Sequence, residues 1–87
     1  MKTHDEEYAK EKKWEFKSIE TYYIVGFGKS FLVKNPINCV NFDWLIGQTV
    51  TVDDKEHEII GVEIKRKKDL YSEGDEIMLK VKDFHLL

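Results

Sequence analysis

The chain has 87 residues, of which 41% are hydrophobic and 13% aromatic, and its formal net charge is −3 at pH 7. That is the length of one domain with enough apolar side chains for one small core, which excludes disorder over the body of the chain. The mildly acidic balance excludes a chain-wide electrostatic nucleic-acid binder, although a local basic run can still act where the average does not.

Residues 1–13 are almost wholly polar. Thr3 and Glu6 have the spacing of a capping box, and Glu6 stands four residues before Lys10. So short a helix is marginal alone, so the reading is a polar tail or short helix over 1–13, with the folded domain at 14–87. The segment has no apolar core of a signal sequence, and no run approaches the length of a membrane span. The expectation is a soluble, cytoplasmic protein. The single cysteine, Cys39, rules out a disulfide framework and reads as a small, half-buried side chain.

From Trp14 the pattern turns strand-like. Trp14 and Phe16 alternate with Glu15 and Lys17, and Thr21 to Val25 is a β-branched and aromatic run. Gly26 and Gly28 mark a turn or bend, and Ser30 to Lys34 is the next strand, stopped by Asn35-Pro36. Residues 37–46 fit neither period and read as a long connection, with Phe42 and Leu45 plugging one end of the core.

Gln48 to Val52 reads as a strand with Val50 and Val52 inward, and Asp53-Asp54-Lys55 as a tight turn. Glu56 to Lys65 returns, with Ile60, Val62 and Ile64 inward. Asp69 to Glu73 is a loop, Gly74-Asp75 a turn, and Glu76 to Phe84 the last strand. Many short strands with glycine and aspartate turns predict an all-β fold. A small barrel is the form that hides the most strand edges.

The chemical motifs are sparse. Gly28-Lys29-Ser30 has the end of a phosphate loop, but the position of its first glycine is Tyr23, and a strand follows where the motif needs a helix. His4, His57 and His85 lack zinc spacing, and residues 53–58 lack a calcium-loop pattern. No nucleophile signature is present. The expectation is therefore a non-enzymatic chain with no metal and no cofactor.

The most suggestive run is Lys65-Arg66-Lys67-Lys68. On a strand its side chains alternate, so Arg66 and Lys68 would share a side that Lys80 or Lys82 could join. This reads as a contact for phosphate or an acidic partner. The plainer reading is solvated strand-end cations that guard an edge. Tyr71, in a polar loop, is expected to be exposed beside them, as in stacking or hot-spot surfaces.

The stretch HEIIGVEIKRKKDLYSEGDEIMLKVKD resembles the second domain of translational GTPases of the elongation factor Tu and elongation factor 1A kind. Gly61-Val62-Glu63 with Arg66-Lys67 matches that family's T-G-V-E-x-x-x-K strand. Gly74-Asp75, Ile77, Leu79 and Val81 match its A-G-D-x-V-x-L-L segment. Upstream, IETYYIVGFGKSFLVKNPI resembles its first hairpin and IGQTVTVDD its next strand, so the similarity covers about residues 19–83.

The resemblance implies a six-stranded antiparallel β-barrel and leaves GTP hydrolysis outside the expectation. In the family this domain contacts ribosomal RNA or holds the aminoacylated tRNA end, and Glu63 and Arg66 match residues of that pocket. Lys65 stands where the family has an aromatic residue. The expected function is a protein-interaction module, with an RNA- or ribosome-associated module as the alternative. The expected binding residues are Glu63, Lys65, Arg66, Lys68 and Tyr71.

Overall fold

A computed structural model describes residues 9–10, 12–24 and 28–82. Six strands occur in chain order: β1 (Glu15–Phe16), β2 (Glu20–Ile24), β3 (Gly28–Lys34), β4 (Thr49–Val52), β5 (Lys55–Ile64) and β6 (Glu76–Val81). Helical backbone among the described residues is confined to Ala9 and Lys10, so the expected all-β class holds. No helix among them is long and apolar enough to cross a membrane. The far end of the expected last strand, including Phe84, and the expected capping box lie outside the described residues.

The expected closed antiparallel barrel is not what forms. The strands make one open, mixed sheet in the order β1-β4-β5-β6-β3-β2, with β1 parallel to β4. The reason lies in the link between β1 and β2. These are the two edge strands, yet only residues 17–19 separate them in the chain. Four Cα steps span at most about 14 Å, so the sheet has to curl until its edges approach. They are not bonded to each other, because β1 spends its short ladder on β4: Thr51 N–H donates to the Trp14 carbonyl and Asp53 N–H to that of Phe16, each at 3.0 Å.

Strand β5 produces most of the curl. Its first part pairs with β4 and its second with β6, and the β6 ladder shifts register between Ile59 and Gly61. A bulge of this kind bends a strand and reverses its alternation. The expectation that Ile60 points inward is therefore corrected. Ile59 is buried, Ile60 is 51% exposed, and Val62 and Ile64 are half-buried against the core. The bend lays the β4–β5 half over β3, which brings the rings of His57 and Phe31 to 5.0 Å between centroids.

The core lies inside this fold. Phe31, Val33, Ile77, Leu79 and Val81 face Val50, Val52 and Ile59, all buried. Residues 37–46 close one end, as expected, with Phe42 and Leu45 buried. Trp44 joins them and meets Trp14 at 5.3 Å between ring centroids. The Trp14 indole N–H also donates to the carbonyl of buried Ala9 at 2.8 Å, which ties the start of the described chain to the core.

The β4–β5 turn is as tight as the sequence suggests. Asp53 and Asp54 both have positive φ, 51° and 69°, as a two-residue mirror-image turn requires. The Asp53 carboxylate accepts the Ser18 backbone N–H at 2.9 Å and the Ser18 hydroxyl as well. That clamp ties the β1–β2 link to the hairpin. The hydroxyl and then the backbone donor hold the Asp53 carboxyl below the usual aspartate range. A group depressed in the folded state stabilises above its unfolded pKa, about 3.9, and loses that effect as pH falls through the folded value. The melting temperature is therefore expected to be level above about pH 5 and to fall below about pH 4. Asp53→Asn should flatten part of that fall in a pH series followed by circular dichroism.

Candidate binding site

Lys65 to Asp75 connects β5 to β6, and its polar sequence gives no regular element. It is nonetheless fixed at several points. Cys39 and Tyr71 form an isolated antiparallel bridge, with Cys39 N–H donating to the Tyr71 carbonyl at 2.9 Å and the reverse bond at 2.7 Å. The Tyr71 ring packs on Phe42 with centroids 4.9 Å apart, and its hydroxyl accepts the Lys68 N–H at 3.2 Å. The expectation of an exposed Tyr71 is corrected: it is 5% exposed. A ring that can bury its body while its hydroxyl meets a backbone donor gains more inside than in water.

Asn35 holds the other side of the loop. Its backbone N–H donates to the Asp75 carbonyl at 2.7 Å and its carbonyl accepts the Gly74 N–H at 2.8 Å. Its buried side chain donates to the Ser72 carbonyl at 3.0 Å and accepts the Ile37 N–H at 3.3 Å. Gly74 has φ +95°, which a side chain would strain. Asp75 closes the turn by accepting the Ser72 N–H at 2.9 Å and the Lys68 ammonium at 3.1 Å, and these hold its carboxyl below the usual range. Asn35→Ala leaves the buried Ile37 N–H without its acceptor and takes one of two donors from the Ser72 carbonyl, which keeps the Asp75 N–H, so it is expected to lower stability by about 1–3 kcal/mol. Urea denaturation measures this.

The fixed loop leaves an open pocket of about 490 Å³ at the corner where β5 ends and β6 begins. Its lining combines the apolar Ile64, Ile77 and Tyr71 with the cations Lys65, Arg66 and Lys68 and the carboxylates Asp75 and Glu76. Four of the expected binding residues thus meet in one place. Their charges are not equivalent. Lys68 is paired with Asp75, whereas among the described residues no ion pair joins Lys65, Arg66 or Lys67 to a carboxylate.

Glu63 stands apart. It projects from the sheet's outer face and pairs with Lys80 at 2.6 Å, which also corrects the expected union of Lys80 with Arg66 and Lys68. Lys82 lies beyond the opposite end of β6, about 20 Å of strand from the corner. Beside Glu63 is a second pocket of about 200 Å³, with Leu32 and Met78 as its apolar shelf and Tyr22 at its edge. Ile64, Lys65 and Glu76 line both pockets, so the corner and the shelf adjoin across a shared wall. The Tyr22 hydroxyl donates to Glu20. That bond, then desolvation and the charges of Glu20 and Glu76, pushes its pKa up.

The shelf was not visible in the sequence as a site, because Leu32 and Met78 read as ordinary strand residues. Asn35 read only as a strand stop. Cys39 is buried rather than half-buried, and burial pushes its thiol pKa up, away from nucleophilic use. Among the described residues no three His, Cys, Asp or Glu side chains come together to hold a metal ion. Comparison with family models, with curated proteins and with solved structures finds no match for this chain.

Proposed function

We propose that the chain is a non-enzymatic interaction module that docks an acidic segment of a protein partner at the β5–β6 corner. One observation carries this reading. A pocket with an apolar floor sets Lys65, Arg66 and Lys68 against Asp75 and Glu76, and of these cations Lys65 and Arg66 have no ion-pair partner among the described residues. Exposed cations without counter-charges steer and orient an acidic partner at little cost in desolvation. The loop beneath them is already fixed by Asn35, Tyr71 and Asp75, so little ordering entropy has to be lost on binding.

A second reading is an RNA- or ribosome-associated module. It is favoured by the same cations and by the resemblance of Gly61-Val62-Glu63 and Gly74-Asp75 to the second domain of translational GTPases. Within that resemblance Glu63 and Arg66 would share a pocket, yet here Glu63 is paired with Lys80 and Arg66 lines the corner. That separation weighs toward the protein partner.

A photo-cross-linking residue at position 67, with one at position 55 as the control, distinguishes the two. The protein reading expects adducts from position 67 that survive nuclease and vanish with Lys65→Glu plus Arg66→Glu. Adducts removed by nuclease would move the conclusion to RNA.

A further inference from the structure

The corner and the shelf, which adjoin at Ile64, Lys65 and Glu76, make a two-part groove whose parts differ in chemistry. At the corner the cations Lys65, Arg66 and Lys68 outnumber the carboxylates Asp75 and Glu76, Lys68 and Asp75 pair with each other, and the apolar lining is Ile64, Ile77 and Tyr71. Past Ile64 and Lys65 the groove crosses to the sheet's outer face. There Met78 is the register partner of Glu63 on one side and of Leu32 on the other. Two strand spacings make this shelf about 10 Å wide, enough for one large side chain lying flat. Acidic groups border it: Glu20 beyond Leu32, Glu63 beside Met78, and Glu76 at the shared wall.

We infer that the groove takes an extended peptide whose acidic residues lie against Lys65 and Arg66 and whose next large apolar side chain lies on Leu32 and Met78. The inference rests on the docking site proposed above and adds the shape of its ligand. The change of character along the groove carries it. A phosphate backbone keeps its negative charge at every step, and along the shelf it would leave Arg66 behind and run past Glu20 and Glu76, while Glu63 is held by Lys80. A peptide can place charge at the corner and none at the shelf. Strand geometry advances about 3.3 Å per residue, so an apolar anchor two or three positions after the last acid lies about 7–10 Å along the peptide from it.

The test uses the full chain and three capped peptides of equal length, followed by amide chemical shifts in two-dimensional NMR. The first is Asp-Asp-Glu-Asp-Gly-Phe-Leu-Gly-Ser. The second replaces Phe-Leu by Ser-Ser, and the third replaces the four acids by their amides. An oligouridine RNA of similar length is the fourth ligand. The first peptide is expected to shift amides at Lys65–Arg66 and also at Leu32 and Met78. Its affinity should exceed that of the second by about tenfold, the effect of burying most of one aromatic side chain, and that of the third by at least as much, because the amides carry no charge to meet Lys65 and Arg66. Met78→Ser, on the half-buried outer face, should reduce the first peptide to the level of the second.

Equal binding of the first two peptides, with shifts at the corner only, overturns the apolar anchor and leaves acidic docking intact. Binding of the RNA alone overturns both. A Met78→Ser chain whose spectrum is no longer dispersed is replaced by Leu32→Ser, for which the same outcomes hold.

Discussion

Replacing Tyr71 by alanine is expected to lower folding stability by about 3–5 kcal/mol, the range for deleting a buried aromatic side chain. Tyr71 is nearly enclosed, its ring rests on Phe42, and its backbone is bridged to Cys39 in both directions. Truncation would leave a cavity between the loop and residues 37–46, and the loop cannot collapse into it without breaking the Asn35 and Asp75 bonds. Tyr71→Phe keeps the ring and loses only the acceptor for the Lys68 N–H, so about 0.5–1.5 kcal/mol is expected. Urea midpoints at unchanged m-values measure both. A Tyr71→Ala loss below about 1 kcal/mol would mean that the ring is a surface group.

The second large effect is on binding. Lys65→Glu with Arg66→Glu reverses two exposed cations, and neither makes an ion pair with a described carboxylate. Stability should stay within about 0.5 kcal/mol of the parent, as for most surface changes. Affinity for the docked partner should fall by about 100-fold or more, since each acidic contact becomes a repulsion. Most of the loss should appear in the association rate and shrink as salt rises. Lys55→Glu, at the far end of β5, changes net charge by the same sign and should leave binding within about twofold. Equal losses from Lys55→Glu would show that overall charge, rather than the corner, sets the affinity.

How much of this the sequence reveals depends on how local each cause is. The inward faces of Val50, Val52, Ile77, Leu79 and Val81 follow from period-two alternation, and all five are buried. The Asp53-Asp54 turn is equally local and appears as read. Ile60 fails because a bulge resets the alternation, and nothing in EIIGVE marks which isoleucine takes the extra place. Closure fails for a similar reason. Counting six strands suggests a barrel, but whether two edges bond depends on the three-residue link and on the clamp between Ser18 and Asp53.

The site follows the same division. Lys65, Arg66 and Lys68 are legible as a cationic run, and they do line one pocket. Which of them stays uncompensated is decided by Asp75, seven residues from Lys68 and on the far side of a loop. Tyr71 looks exposed because its neighbours in sequence are polar. Its neighbours in space are Phe42 and Cys39, about thirty positions away in the chain. The Leu32–Met78 shelf exists only because β3 and β6 are register partners, which alternation within either strand does not tell.

The claim that the β5–β6 corner is a preformed docking site is tested most directly by amide hydrogen exchange on the chain alone and with the partner cross-linked from position 67. Residues 71–75 are expected to be already slow to exchange in the free chain, because Tyr71, Ser72, Glu73, Gly74 and Asp75 all donate their N–H groups within the fold. Binding should add protection at 64–68 and 76–78 and leave the 53–56 turn unchanged. Fast exchange across 71–75 in the free chain, or new protection confined to the β4–β5 turn, would contradict a preformed docking site.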